Sequence, residues 1–243
     1  MQLFYCNSLT PGGYATLDAE ESRHAVRVLR LREGDAINVT DGQGHLYRCR
    51  IVEANDKACA MECEATLHTA NCTLPTLHLA VAPTKNPSRM EWLVEKAVEV
   101  GVGEITLLDC DHSERSFLKT VRLERIALSA MKQSLRLTLP RINPAVSMKD
   151  WIASHLSPSA SHLKLIAHCE ADKPRTSLAT ALLPGRDTVV LIGPEGDFSE
   201  EEIALALEHG FQPVSLGPSR LRTETAALYA VTGFNLVNDK VVK

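Results

Sequence analysis

The spacing of apolar residues divides the chain into two parts. In the first part, short apolar and polar alternations predict several strands and one helix. The strands are expected at 36–40, 45–53 and 57–67, and the helix at 19–31 with Asp18 near its N-cap. Strands spaced this evenly are typical of a small β-barrel, which we assign to residues 1–72.

In the second part, from Leu77 onward, apolar strands alternate with helices. The predicted strands are 77–82, 104–108, 163–168, 188–192 and 214–216. The predicted helices are 89–100, 119–135, 200–209 and 224–237. This alternation indicates a mostly parallel sheet with helices on both faces. The pattern therefore predicts that residues 73–243 form an α/β domain, larger than the N-terminal barrel.

Two glycine-bearing turns follow predicted strands of this second domain. Gly193-Pro194-Glu195-Gly196 leads to a helix whose start is marked by the Ser199/Glu202 capping box. Leu216-Gly217-Pro218 leads to the last helix. Glycines at strand ends allow a ligand to approach the backbone, so we expect one cofactor pocket here. The alternative is that these glycines and prolines only end strands, as in any α/β domain.

The composition of the chain and the motifs that it lacks exclude several classes of protein. Hydrophobic content of 44% and charged content of 23% are ordinary for a globular protein. The chain lacks Gly-x-Gly-x-x-Gly and P-loop motifs, which disfavours dinucleotide dehydrogenases and P-loop NTPases. We see no signal peptide and no membrane-length apolar run, which indicates a cytoplasmic protein with no membrane contact.

Cysteines, histidines and tryptophans suggest structural roles. Seven scattered cysteines are interpreted as buried reduced thiols rather than disulfides or metal ligands. The histidines have no ligand spacing, so no metal is expected. Trp92 and Trp151 are expected in the core.

Basic residues are clustered although the net charge is −4. Seven basic residues and one acidic residue, Glu124, lie between Arg115 and Arg141. Three more basic residues, Arg23, Arg27 and Arg30, have the i, i+4, i+7 spacing that places side chains on one face of the first predicted helix. Candidate RNA contacts within these clusters are Arg23, Arg27, Arg30, Arg122 and Arg136. The alternative is a solvated basic face.

Several motifs, in order along nearly the whole chain, resemble a known family. They are His24–Arg30 with Gly34-Asp35, Lys85 with Arg89-Met90-Glu91, Gln133-Ser134, Gly193–Gly196 with Phe198-Ser199, and Leu221–Ala226. The chain resembles the RsmE family of 16S rRNA uridine-N3 methyltransferases, in the SPOUT superfamily. One departure is Asp197, where the family usually has glycine. Aspartate tolerates a left-handed backbone, so we expect the turn to persist, with a possible effect of the carboxylate on cofactor affinity.

The resemblance implies a fold, a reaction and partners. Residues 1–72 would be a PUA- or OB-like RNA-binding barrel, and residues 73–243 a SPOUT methyltransferase domain with a trefoil knot. The cofactor would be S-adenosyl-L-methionine, and the substrate N3 of U1498 in 16S rRNA of the 30S ribosomal subunit. The family generally acts as a homodimer. His24 joins the candidate RNA-binding residues because it lies in a family motif.

The resemblance also implies site residues. Expected cofactor contacts are His168, Cys169, Gly193, Glu195, Gly196, Leu216, Gly217, Leu221, Arg222 and Thr223. Arg222 would stabilise the uracil anion, and Glu224 or Glu195 would accept the N3 proton. The structural alternative for Arg222 and Glu224 is a buried ion pair or a carboxylate placed at a helix N-terminus.

Two other functions remain open at this point. One is a non-catalytic RNA-binding or ribosome-assembly factor that retains the fold. The other is a SPOUT enzyme that modifies a different nucleotide, such as a tRNA base or a ribose 2′-oxygen.

Overall fold

The structure of the protein is a computed structural model that describes residues 2–70, 74–114, 119–155, 162–170 and 174–239. The chain forms two compact units. The N-terminal unit is Met1–Thr73 with Leu128–Leu139, and the C-terminal unit is Leu74–Ala127 with Pro140–Lys243. The hydrophobic pattern of the sequence does not predict that residues 128–139 belong to the N-terminal unit.

The N-terminal unit contains a small five-stranded sheet. Its strands are β1 (Leu3–Tyr5), β2 (Tyr14–Thr16), β3 (Ala36–Thr40), β4 (His45–Glu53) and β5 (Ala60–Thr69), in the order β1-β3-β4-β5-β2. β1 and β3 are parallel, and the other neighbours are antiparallel. In β4, buried Tyr47, Cys49 and Ile51 alternate with exposed Arg48 and Arg50. This alternation is the signal that predicted the strand.

Two of the three predicted strands have the expected bounds, and the third begins later than predicted. β5 starts at Ala60 because a turn occupies the preceding residues. In that turn the Asn55 side chain accepts a hydrogen bond from Lys57 N at 2.9 Å, and Ala58 N donates to Asn55 O at 3.3 Å. β1 and β2 are three residues long, too short to produce a periodic pattern.

The first helix is shorter than predicted and changes type. Asp18 caps α1 (Ala19–Arg23), as expected, by accepting hydrogen bonds from Glu20 N and Glu21 N. A π-helical turn, His24–Val28, follows, and the backbone of Arg30 is left-handed with φ 58°. The prediction of one continuous helix over 19–31 is therefore wrong beyond residue 28.

The C-terminal unit is built on a seven-stranded sheet whose described neighbours are all parallel. The strand order is β10-β12-β9-β11-β6-β7-β8. The strands are β6 (Leu77–Val81), β7 (Glu104–Asp109), β8 (Arg141–Ser147), β9 (Leu163–Ala167), β10 (Thr176–Ser177), β11 (Thr188–Ile192) and β12 (Gln212–Ser215). The predicted parallel α/β sheet is confirmed.

The described residues from 74 onward also form six helices. They are α2 (Pro87–Val100), α3 (Thr120–Gln133), α4 (Met148–His155), α5 (Leu178–Ala181), α6 (Glu200–Glu208) and α7 (Thr223–Asn238). Gly101, with φ 118°, ends α2 as expected. The Ser199/Glu202 capping box at the start of α6 is also confirmed.

The core of the C-terminal unit includes one of the two tryptophans. Trp151 is 2% exposed, as predicted, and its ring meets the His78 ring edge-on. Trp92 is 43% exposed, so its predicted core position is wrong. It lies on α2 outside the buried stripe, which contains Met90, Leu93, Val94, Ala97 and Val98.

The described cysteines are free thiols and, with one exception, buried. Cys6, Cys49, Cys59, Cys63 and Cys110 are buried, as predicted. Cys169 is exposed, so the prediction of burial is wrong there. Cys72 lies outside the described residues.

The trefoil knot stays a prediction from the resemblance. In the described part of the chain, no helix combines the length and apolar character needed to cross a membrane.

Candidate active site

A cavity of about 330 Å³ lies in the C-terminal unit where three neighbouring strands end. Its wall includes residues that directly follow β9, β11 and β12, which are adjacent in the sheet. Since parallel strands present their carboxyl ends on one edge, the three following turns converge there. The two glycine turns and the turn after β9 therefore meet at one site.

Close packing favours glycine at the first position of the turn after β11. A Cβ atom on Gly193 would lie 3.1 Å from the buried Phe198 ring and 3.2 Å from Phe198 N. Asp197 N then donates to Pro194 O at 3.0 Å, which closes a tight turn. Asp197 has φ 65°, so the turn persists with aspartate in the left-handed conformation, as expected.

Asp197 also joins this turn to the turn after β9. Its Oδ2 accepts a hydrogen bond from Cys169 N at 2.6 Å, and its Oδ1 accepts one from Phe198 N at 2.9 Å. Partial desolvation and the Asp197 carboxylate raise the pKa of the Cys169 thiol. Arg175 reaches the same turn, where its Nη1 donates to His168 O at 2.5 Å.

The turn after β12 leads into the last helix and is tied to the turn after β11. Gly217 has φ 110°, and its N–H donates to Ser215 Oγ at 3.3 Å. Thr223, the first residue of α7, is 4% exposed, and its hydroxyl donates to Gly193 O at 3.1 Å. A buried hydrogen bond therefore connects the two glycine turns.

Arg222 and Glu224 occupy different surroundings at the start of α7. Arg222 is exposed and lines the cavity, and its side chain does not cap the helix. Glu224 is buried and is absent from the cavity wall. Its Oε1 lies 3.6 Å from Nε of Arg89, and its buried Oε2 has no hydrogen-bond partner within the described residues. The ion pair of Glu224 is thus with Arg89 and not with Arg222.

Glu195, the other candidate proton acceptor, does line the cavity. It is exposed, and its Oε1 accepts a hydrogen bond from Lys85 N at 3.1 Å. The backbone amide therefore holds this carboxylate at the rim without neutralising its charge.

Most of the cofactor-binding residues predicted from sequence lie together in the wall of this cavity. These are His168, Cys169, Gly193, Glu195, Leu216, Gly217, Leu221, Arg222 and Thr223. Gly196 is not part of the wall, and a Cβ there would lie 3.1 Å from His112 Cβ. Sequence reasoning missed several polar wall residues, namely Arg175, Ser215, Ser219 and Arg220. It named Asp197 as a departure with an effect on cofactor affinity but did not include it among the cofactor contacts. Arg175 had no motif to mark it.

The predicted RNA-binding residues of the first helix do not share one helical face. The π-helical turn changes the angular spacing after Arg23, and Arg30 lies beyond the helix. Arg27 is paired with Asp56. Arg23 and His24 line a separate cavity of about 570 Å³ within the N-terminal unit.

The basic residues of the second cluster are partly neutralised. Arg122 forms an ion pair with Glu91 at 2.6 Å, and Lys132 is paired with the buried Glu21. Arg136 is half-buried, and its backbone N–H donates to Met131 O at 3.0 Å. Arg115 lies outside the described residues. The local excess of positive charge is therefore smaller than the sequence count indicated.

Comparison with known proteins identifies the family. The family model of the RNA methyltransferase domain matches residues 72–235, and that of the RNA methyltransferase PUA domain matches residues 17–60. The chain is 31% identical to ribosomal RNA small subunit methyltransferase E of Aquifex aeolicus, over 96% of this chain and 98% of that protein.

Solved structures agree over the full length. A probable rRNA-methyltransferase from Porphyromonas gingivalis aligns with a TM-score of 0.90 and 40% identity, covering 99% and 100% of the two chains. The Neisseria gonorrhoeae ribosomal RNA small subunit methyltransferase E, solved with S-adenosyl methionine, aligns with a TM-score of 0.78 and 29% identity, covering 98% of each chain. The chain therefore belongs to the family of ribosomal RNA small subunit methyltransferase E proteins, with an RNA methyltransferase domain and a PUA domain.

Proposed function

We propose that this protein transfers a methyl group from S-adenosyl-L-methionine to N3 of U1498 in 16S rRNA of the small ribosomal subunit. The observation that carries the proposal is the cavity at the ends of β9, β11 and β12, with Arg222 in its wall. Family membership supports the class of reaction, and the site supports its chemistry.

The cavity has a size and a lining that suit S-adenosylmethionine. Its volume of about 330 Å³ lies within the range of about 300–1,000 Å³ that is typical of small-molecule pockets. Glycine turns expose backbone groups that can pair with the adenine edge, and Leu216 and Leu221 supply apolar surface. When bound, the cofactor would supply an electrophilic methyl carbon on a sulfonium, whose sulfur would leave as a neutral thioether.

The uridine must lose its N3 proton to become a nucleophile, and Arg222 is placed to stabilise the resulting anion. The guanidinium is exposed at the cavity, and within the described residues no acidic side chain lies within ion-pair distance of it. The N-terminus of α7 adds partial positive charge at the same point. Interactions that strengthen as charge develops lower the barrier most.

The geometry supports Glu195 over Glu224 as the group that accepts the N3 proton. Glu195 lines the cavity, whereas Glu224 is buried beside Arg89. A general base must come within hydrogen-bond reach of the proton that it removes. We infer that Glu224 instead acts on the N-terminus of α7, where its charge favours the helix and holds Arg89 close.

The predicted RNA contacts differ in whether an acidic side chain already pairs with them. Arg23 and His24 at the N-terminal cavity and the exposed Arg30 are the best placed of the predicted RNA contacts, because Arg27 and Arg122 already have acidic partners. We assign RNA binding to residues 1–72 and methyl transfer to residues 73–243. A homodimer is proposed because α7 exposes Tyr229 (50%) and Leu236 (63%) although half of the residues of that helix are buried.

The first test is calorimetric titration with S-adenosylmethionine, with NADH and ATP as controls. The second is incubation with small ribosomal subunits that lack the modification, followed by mass-spectrometric mapping of the methylated nucleotide. Selective binding and N3-methyluridine at position 1498 are expected. Methylation of another nucleotide would replace the proposed substrate, and absence of cofactor binding would refute the enzyme class.

Arg222→Ala gives a sharper test of the mechanism. We expect turnover to fall at least about 100-fold, while the Kd for S-adenosylmethionine stays within about tenfold. Arg222→Lys keeps the charge but not the planar guanidinium, so partial activity is expected. If Arg222→Ala abolished cofactor binding instead, Arg222 would be a pocket residue and not the anion stabiliser.

A further inference from the structure

The Asp197 carboxylate is held in a fixed position at the cavity wall. Cys169 N donates to one carboxylate oxygen at 2.6 Å, and Phe198 N donates to the other at 2.9 Å. The residue's own carbonyl oxygen lies 3.1 Å from His112 Nδ1. With both oxygens anchored, the negative charge cannot swing away when a ligand enters.

That charge is not neutralised by the residues that hold it. The donors that anchor the two carboxylate oxygens are backbone amides, and the Cys169 thiol, which also interacts with this carboxylate, is uncharged. Within the described ranges, Asp197 forms no ion pair with a lysine, arginine or histidine. The residue is half-buried, so water screens its charge only in part. The cavity therefore presents a fixed carboxylate to whatever occupies it.

The two cofactor forms of a methyl transfer differ in charge. S-adenosylmethionine carries a sulfonium, an ammonium and a carboxylate, with a net charge of about +1 near neutral pH. Loss of the methyl group converts the sulfonium to a neutral thioether. The product, S-adenosylhomocysteine, keeps the ammonium and the carboxylate and has no net charge. A nearby carboxylate attracts the substrate form more strongly than the product form.

We propose that Asp197 is a specificity-determining residue that makes the cavity prefer S-adenosylmethionine over S-adenosylhomocysteine. This inference rests on the proposed function. It assigns a second role to a residue that also joins the turns after β9 and β11. Preference for the charged form speeds release of the product and limits its inhibition of the next turnover.

Asp197→Asn removes the charge and keeps one of the two hydrogen bonds, because its single side-chain oxygen replaces one acceptor and its NH2 group cannot accept from Phe198 N. Asparagine tolerates the left-handed backbone and keeps an oxygen that accepts from Cys169 N. We expect its Kd for S-adenosylmethionine to rise about fivefold to tenfold, with the Kd for S-adenosylhomocysteine unchanged within about twofold. Glu201→Gln, on an exposed side chain of α6, removes the same charge outside the cavity and should leave both constants unchanged.

Asp197→Gly provides a structural comparison because it removes both the charge and the link between the turns. Its affinity for both ligands should fall. In the unaltered protein, raising the ionic strength from about 0.05 M to about 0.5 M should reduce the preference for S-adenosylmethionine, because salt screens the attraction. This measurement does not depend on the folding of any variant.

The outcomes distinguish the inference from the proposed function. If Asp197→Asn raises the Kd values for S-adenosylmethionine and S-adenosylhomocysteine by the same factor, so that their ratio is unchanged, Asp197 is only a positioning residue and the inference is wrong. Those results leave the proposed function intact, because S-adenosylmethionine still binds to the unaltered protein. If the unaltered protein binds neither ligand, both the proposed function and the inference are refuted.

Discussion

Replacement of Thr223 by valine tests whether the hydrogen bond between the two glycine turns supports the cavity. The Thr223 hydroxyl is buried and donates to the Gly193 carbonyl oxygen at 3.1 Å. Valine has nearly the same shape but lacks the donor. The substitution therefore leaves a buried carbonyl group without this partner while packing changes little.

The expected cost follows from that geometry. A buried acceptor that loses its partner costs about 1–3 kcal/mol, and the added methyl group offsets up to about 0.8 kcal/mol. We expect a net loss of about 1–2 kcal/mol in the free energy of unfolding, or roughly 3–6 °C in Tm for a unit of this size. Since both turns border the cavity, the Kd for S-adenosylmethionine should rise about tenfold.

Urea unfolding and calorimetry with S-adenosylmethionine measure the two effects. Thr223→Ser is the matched control, because it keeps the hydroxyl while losing a methyl group. It should retain cofactor affinity and most of the stability. If Thr223→Val matched the original protein within about 0.5 kcal/mol and bound the cofactor equally well, the hydrogen bond would contribute nothing to the cavity, and the reasoning would fail.

Two further predictions concern titrating groups. Burial tends to raise the pKa of Asp41, but hydrogen bonds from Gln43 N and from the ring and N–H of His45 outweigh it, so the pKa is lowered overall. A lowered native pKa contributes stability above the unfolded pKa that is lost as pH falls through the native value. The free energy of unfolding of Asp41→Asn should therefore change less between about pH 5 and pH 3 than that of the original protein; equal changes would contradict this. Separately, the exposed Cys169 thiol should react with iodoacetamide, faster as pH rises towards its raised pKa. S-adenosylmethionine at about ten times its Kd should slow that reaction about tenfold, with Cys169→Ala as the control; undiminished labelling would place the cofactor elsewhere.

The parts of the fold that could be predicted have strong local signals. β11 has the predicted bounds because the continuous apolar run Val189–Ile192 follows Thr188 and ends before Gly193. α2 ends where Gly101 adopts a left-handed conformation. The capping box fixes the start of α6. In each of these elements the hydrophobic pattern and the residue at the boundary agree.

The parts that sequence analysis missed lack such agreement. β8 is an edge strand without a fully buried residue, and it contains Pro144, so no apolar run marks it. The π-helical turn at His24–Val28 keeps helical residue types while changing the hydrogen-bond spacing. Trp92 is hydrophobic by type but lies off the buried stripe. Residue type alone does not show which face of an element is covered.

The cavity itself depends on contacts between turns that are distant along the chain. Asp197 bonds to the turn after β9, Arg175 bonds to the carbonyl of His168 in that same turn, and Thr223 bonds to the turn after β11. A motif could mark each glycine turn, but none could show that Thr223 joins the two glycine turns and that Asp197 joins one of them to the turn after β9. These hydrogen bonds fix the turns before the ligand arrives, so less ordering entropy is lost on binding. The shape of the cavity therefore depends on the side chains that connect the turns as well as on the glycines that form them.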